Sequence, residues 1–326
     1  MYNQNTIVDP DRDPKLVAAR VKYPDGTYKE FDVDSGCEGS ELFRHATAGI
    51  SYASGERRYF SLCFYDPVDG SRHWIPNHLQ IRSKLSKCES RGRIGGKRLR
   101  QKLPWSFSLE VQFYPRSPSS LVDDVARQLL FMQLEQDVLT GKLTKTDNSC
   151  AFLGALLLQL RFGDAPCTMT EEYQDFTTPT KLDPHSVFGA NLYQEIVEQH
   201  KRMRGTTIID ALNLFMDFCA TLPRYGLHFF AAKDSNQQDV EIGLGTFGVK
   251  IFQNTALLKS LPMGKATICR PKWETSILYR DWSKLVIKME NGKEDRDEDA
   301  EHTYDVGNRS HHIHGFYLSH FFQAPE

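Results

Sequence analysis

Residues 192–234 read LYQEIVEQHKRMRGTTIIDALNLFMDFCATLPRYGLHFFAAKD, and the fold turns on where this stretch changes its period. Leu192, Ile196, His200 and Met203 recur at helical spacing, and Gly205 supplies a stop. Thr207 with Asp210 three residues on has the pattern of a capping box, so a second helix opens there. It carries Ala211, Leu212, Phe215, Phe218, Cys219 and Leu222 toward a core until Pro223 ends it. A strand follows at once over 227–230. Two helices passing directly into a strand mark the end of a helical unit and the start of a sheet-rich one.

Downstream, residues 240–244, 249–252, 276–279 and 285–289 read as further strands. Gly243, Gly245 and Gly248 form a GxGxxG. A dinucleotide site needs a helix to open at that point, and Val249, Ile251 and Phe252 propose a strand instead. A kinase glycine loop would need HRD and DFG motifs, which the remaining sequence lacks. The glycines therefore read as the turn of a hairpin. His311, His312 and His314 place only His311 and His314 on one helical face, too few ligands for zinc. The run 290–301 carries seven acids and two bases and reads as a solvated loop.

Upstream, Asn148 to Phe162 is apolar on nearly every face and reads as the buried helix of a bundle. Before it, Ser120 and Asp123 open a helix with Leu121, Val125, Leu129, Met132 and Gln136 at helical spacing. The first hundred residues read as a hairpin turning at Pro24-Asp25-Gly26, a helix through Leu42, Phe43, Ala46 and Ile50, strands around Phe60–Phe64 and His73–Ile75, and an alternating strand from Trp105 to Phe113. Arg82 to Lys102 holds nine bases and one acid, which reads as a solvated loop or as a contact for anionic membrane.

The chain has 326 residues, 40 Lys plus Arg against 42 Asp plus Glu, and 7 cysteines. The length suggests two or three compact units. Near-balanced charge argues against a general nucleic-acid binder. No apolar run approaches the roughly 20 residues of a membrane span, and the scattered cysteines predict reduced thiols in the cytoplasm. No cysteine has an arginine six residues on, so the phosphate loop of a tyrosine phosphatase is absent from this sequence.

His200, Asp210-Ala211, Phe215-Met216, Cys219, Leu222, Tyr225-Gly226 and His228-Phe229 fill every place of a long spaced signature. It resembles that of the FERM domain, the module shared by band four-point-one, ezrin, radixin and moesin. The resemblance implies an α+β, three-lobed clover. A flexible N-terminus over 1–14 would lead to a ubiquitin-like β-grasp lobe over 15–115, with the basic insertion at 82–102. An acyl-CoA-binding-protein-like helical lobe would occupy 116–223, and a pleckstrin- or phosphotyrosine-binding-like sandwich 224–326.

The same resemblance implies a non-enzymatic adaptor at the inner face of the plasma membrane, with no cofactor and no nucleic-acid partner. It would link cytoplasmic tails of membrane proteins, or anionic phospholipid, to cytoskeletal or signalling partners such as an actin-linked scaffold. The alternative is the targeting domain of a larger enzyme, such as a FERM-containing tyrosine phosphatase. A tail would add as a strand along a groove lined by Ile277, Leu278, Tyr279 and Phe316. Lys84, Lys87, Arg91, Arg93, Lys97, Arg98, Arg100 and Lys102 would meet lipid.

Overall fold

The computed structural model describes residues 16–48, 50, 55–66, 70, 72–82, 85, 105–143, 147–167, 170–173, 191–262, 266–269, 284–289 and 301–305. The chain divides into two compact units, Met1–Ser51 with Phe60–Glu110 and Tyr52–Tyr59 with Val111–Glu326.

In the first unit, β1 (Leu16–Lys22) pairs antiparallel with β2 (Tyr28–Asp34) from Leu16↔Asp34 to Lys22↔Tyr28. The turn between them closes where Gly26 N–H donates to Tyr23 O at 2.9 Å and the Asp25 carboxylate accepts from Thr27 N–H at 2.8 Å. Helix α1 (Gly39–Thr47), β3 (Phe60–Tyr65), β4 (Arg72–Trp74) and β5 (Trp105–Val111) follow. The sheet order is β2-β1-β5-β3-β4, with β1 and β5 parallel.

Alternation along each strand sends Ala19, Val21, Val33, Leu62, Phe64, Phe107 and Leu109 into a core with Leu42, Phe43 and Ala46 of α1. Tyr23 joins them and satisfies its hydroxyl by donating to Ala46 O at 2.6 Å. The other face carries polar groups. There Glu110 accepts from Tyr65 Oη at 2.8 Å and Arg72 Nη1 at 2.9 Å. Burial pushes the Glu110 carboxyl up, and the Arg72 charge with the two donors outweighs it, so the group is held below the usual carboxylate range.

The second unit holds the helices α2 (Asp124–Leu139), α3 (Asp147–Phe162), α4 (Asn191–Arg202) and α5 (Ile208–Thr221). Helix α3 is the central one, with Ala151, Leu153, Ala155, Leu156, Leu157 and Leu158 all buried. Helix α5 is capped as its sequence predicts, with Thr207 Oγ1 accepting from Asp210 N–H at 3.1 Å. It turns Ala211, Phe215, Met216 and Cys219 inward. Phe215 meets Phe131 edge-on at 5.4 Å, and Phe218 meets Phe152 at 4.7 Å.

Helix α2 departs from the reading above. Its inward line is Ala126, Leu129, Leu130, Gln133, Leu134, Asp137 and Val138, while Gln136 is exposed and Val125 and Met132 are half-buried. The spacing puts Gln136 on the helical line, whereas the buried polar residues are Gln133 and Asp137, which bond to each other at 3.2 Å, Asp137 being further paired.

His200, which fills the first place of the signature, closes the far end of the bundle. It is fully buried, with Nε2 donating to Gly163 O at 2.8 Å and Nδ1 facing Tyr173 Oη at 2.7 Å. A carbonyl can only accept, so Nε2 carries the proton and Nδ1 receives the tyrosine hydroxyl. This fits the neutral ring. Burial lowers the His200 pKa below 6.5, against the smaller opposing effects of Gly163 and Asp164.

The unfolded state therefore binds the proton more readily, so the stability that the neutral ring contributes is full above 6.5 and lost as pH falls below it. Urea unfolding at pH 7.5 and 5.5 checks this. The wild type is expected to lose up to about 1.4 kcal/mol per pH unit through this ring. His200→Gln should be less stable at pH 7.5 and show a flatter pH dependence; an equal slope in both would refute the assignment.

Beyond α5 runs an antiparallel meander: β6 (Leu227–Lys233), β7 (Asp239–Gly245), β8 (Gly248–Gln253) and β9 (Ala256–Pro262). With β10 (Ala266–Cys269), β11 (Lys284–Met289) and β12 (Glu301–Asp305) it forms a seven-stranded sheet in the order β10-β11-β12-β6-β7-β8-β9.

Candidate functional site

The helices and the meander meet at Arg224-Tyr225-Gly226, and each residue there has a separate task. The Arg224 guanidinium is nearly buried. Its Nε donates to Lys142 O at 2.8 Å, at the end of α2, and its Nη1 pairs with Glu241 of β7 at 2.8 Å. Its plane lies 3.7 Å from the Phe229 ring centre and 5.1 Å from that of Phe252. One side chain thus ties a helix end to three strands by hydrogen bonds and ring stacking.

Tyr225 reaches in the other direction. Its hydroxyl donates to Pro115 O at 2.8 Å, and its ring meets Tyr114 edge-on at 5.4 Å. Burial pushes its phenol pKa up, so this donor keeps its proton at any physiological pH. Tyr114 in turn donates to Asp137 at 3.0 Å, and Lys142 pairs with the same carboxylate at 2.8 Å. His228 Nε2 donates to Gln112 O at 3.1 Å. Lys250 Nζ donates to Pro223 O at 2.9 Å, and burial lowers the lysine pKa.

Gly226 has φ +66°, and a Cβ on it would stand 3.0 Å from Tyr114 Cβ. Gly245 lies opposite Leu227 in the β6–β7 ladder, and a Cβ on it would stand 2.1 Å from Gly226 O. The second glycine of the GxGxxG is therefore a packing requirement. Gly245 pairs with Gly248 across the turn at Thr246-Phe247, and a strand, not a helix, follows. The hairpin reading of this motif holds.

The far edge of the sheet is β9, where Leu257 and Leu258 are 44% and 52% exposed. The register shifts between Ile251 and Phe252 of β8, so Leu258 is an extra residue on β9. Leu257, Leu258 and this strand as a whole escaped the sequence reading, because Leu-Leu-Lys-Ser-Leu has no period of two. Arg224, Asp137 and Gln133 escaped it as well. Their signal is only that a polar type stands where the helix or strand pattern asks for an apolar one.

Lys84, Lys87, Arg91, Arg93, Lys97, Arg98, Arg100 and Lys102 lie outside the described residues, as do Ile277, Leu278, Tyr279 and Phe316, the run 290–300, and His311, His312 and His314. Among the described residues no group of three His, Cys, Asp or Glu side chains could hold a metal ion, and no helix is long and apolar enough to cross a membrane.

Residues 116–230 match the family model described as the FERM central domain. The chain carries a FERM domain. Mus musculus Band 4.1-like protein 2 is 29% identical over 240 residues, 74% of this chain and 22% of that protein. Mus musculus Protein 4.1 is 26% identical over 256 residues, 78% of this chain and 27% of that protein. The chain thus spans about a quarter of the length of these relatives.

Among solved structures, the FERM and C-terminal domain complex of Drosophila Merlin superposes with a TM-score of 0.66 at 15% identity, covering 94% of each chain. The human Myosin 7b C-terminal MyTH4-FERM domain, solved in complex with the harmonin-a PDZ3 domain, gives 0.66 at 14% identity over 95% of this chain and 60% of that one. The fold is an α+β FERM fold.

Proposed function

We propose that this FERM domain is a non-enzymatic adaptor that holds cytoplasmic tails of membrane proteins, and anionic phospholipid, at the inner face of the plasma membrane. It would present them to cytoskeletal or signalling partners, an actin-linked scaffold among them. In this reading the module has three lobes, ubiquitin-like over 15–115, acyl-CoA-binding-protein-like over 116–223 and pleckstrin-like over 224–326.

The observation that carries the reading is the junction at Arg224-Tyr225-Gly226. A sheet that takes up an extended tail by main-chain hydrogen bonds transmits force and orientation only if it is fixed to its neighbour, and here it is bolted to the helices by the hydrogen bonds and ring contacts described above. The relationship to Protein 4.1 and its homologues supports an adaptor in the same way.

Two measurements test it. Changing Leu278 and Phe316 to alanine should weaken binding of a membrane-protein tail peptide about tenfold, roughly 1.4 kcal/mol, with little change in melting temperature; unchanged affinity refutes the groove. In sedimentation with phosphoinositide vesicles at low salt, wild type should bind and a variant with Lys97, Arg98, Arg100 and Lys102 changed to Glu should not. The binding should also fade as salt rises, because exposed charges are screened over about 8 Å at physiological ionic strength. Equal binding by both refutes the lipid contact. Binding that appears only once the acids of 290–301 are neutralised would make the two charged segments an internal latch instead.

A further inference from the structure

The hydroxyls of Tyr23, Tyr65, Tyr114, Tyr173 and Tyr225 are spent inside the fold, on Ala46 O, Glu110, Asp137, His200 and Pro115 O. Tyr28 is placed differently. It is 58% exposed at the start of β2, and every residue from Asp25 to Glu30 is exposed with it. A modifying enzyme must reach its acceptor together with the residues on either side, and here the whole segment lies on the surface.

The hairpin also sets the backbone of this tyrosine. Tyr23 N–H donates to Thr27 O at 2.9 Å, which makes Val21↔Lys29 a pair that exchanges main-chain hydrogen bonds and Lys22↔Tyr28 a pair that does not. The N–H and C=O of Tyr28 therefore face away from β1, at an edge of the five-stranded sheet. An enzyme that binds its acceptor as an extended segment through main-chain hydrogen bonds meets Tyr28 already in that form.

Two bases stand where a phosphate on Tyr28 would be held. Side chains of a pair without main-chain bonds approach closely, so Lys22 lies directly across from Tyr28, and among the described residues Lys22 forms no ion pair. The diagonal neighbour Arg20 places its guanidinium 5.9 Å from the Tyr28 ring centre. Arg20 is paired with Glu30 at 2.6 Å, but these side chains are 36% and 53% exposed, where an ion pair holds weakly. A phosphate brings about two negative charges and three strong acceptor oxygens against the single charge of Glu30. It can take Arg20 from Glu30 by paired N–H···O bonds and add Lys22.

We propose that Tyr28 is a phosphorylation site, used by an ATP-dependent tyrosine kinase, and that Arg20 and Lys22 retain the phosphate on the face of the sheet. The Tyr28 oxygen attacks the γ-phosphorus of ATP, the bond to the β,γ-bridging oxygen breaks, ADP leaves, and the phenolic proton passes to the catalytic carboxylate of the kinase. The outcome is an exchange of ion pairs that releases Glu30 to solvent. The site shares no residue with the tail groove or the lipid contact proposed above and stands or falls without them.

The test treats the full chain, and separately an end-capped peptide of residues 22–34, with a panel of purified tyrosine kinases and Mg-ATP. Fragment mass spectra should place phosphate on Tyr28 of the folded chain at a rate within about tenfold of the peptide, because no unfolding step precedes transfer. Tyr23 should be modified in the peptide and spared in the folded chain. In phosphorus NMR the second phosphate pKa, about 6 when free, should fall to about 5 in the folded chain. It should return toward the free value at high salt and in Arg20→Gln with Lys22→Gln, whose fold a urea midpoint confirms. A folded chain left unmodified at Tyr28 overturns the site, whether or not the peptide is modified. A phosphate whose pKa keeps the free value in the wild type overturns its retention by Arg20 and Lys22.

Discussion

Gly245→Ala is expected to lower the unfolding free energy of the second unit by about 3 kcal/mol, the upper part of the range for forcing an extra carbon into a packed site. The added Cβ would stand 2.1 Å from the Gly226 carbonyl oxygen, with Leu227 Cδ2 3.1 Å away on another side. Rotation of a side chain cannot relieve the first clash, because the obstructing atom is backbone. Gly226 is itself held at φ +66° against Tyr114, so β6 cannot yield without disturbing the junction with the helices. Gly55→Ala is the matched control, since a Cβ there meets nothing within 4 Å. Thermal unfolding should show a shift of several degrees for Gly245→Ala and almost none for Gly55→Ala. A shift below 1 kcal/mol at Gly245 would mean that the two strands are not tightly apposed.

Arg224→Ala should cost a similar amount, about 3 kcal/mol, by different physics. The substitution removes the donor to Lys142 O, worth about 1 kcal/mol. It strips the cation from the faces of Phe229 and Phe252, worth about 1–2 kcal/mol in a desolvated place, and it loses the packing of the stem. The pairing with Glu241 contributes little, since that carboxylate is 42% exposed. Arg224→Lys keeps the charge but not the planar fork, and should recover less than half of the loss. Full recovery by lysine would show that charge alone matters at this position. Hydrogen exchange adds a spatial readout, because the amides of 227–233 should lose protection in Arg224→Ala more than those of α3 do.

Much of the fold was legible in residue order, and the reasons are local. Thr207 with Asp210, the apolar line of α5 and Pro223 speak within one or two helical turns, and each element they define is found where they place it. The hairpin at Asp25-Gly26 and the glycine turn after β7 are legible for the same reason. What eluded the sequence depends on residues far apart in the chain. Gln133 and Asp137 look like surface positions until Tyr114 and Lys142 supply partners. Arg224 looks like a loop charge until Phe229, Phe252 and Glu241 surround it. The candidate site was legible less well: its basic and groove residues were chosen from charge density and from family resemblance, and they lie outside the described residues, whereas the junction that stiffens the module was visible only as a Tyr-Gly pair in a signature.

The extra residue at Leu258 bears on crowding. A partner strand laid along β9 can keep step with it up to that point, and beyond it every side chain would face the wrong way, because a strand alternates with a period of two. The mismatch recurs for each incoming copy. Exposed Leu257 and Leu258 supply local stickiness, and the broken register denies it a direction in which to propagate. At high local concentration the β9 edge thus lacks the unbroken register that templating a fibre requires.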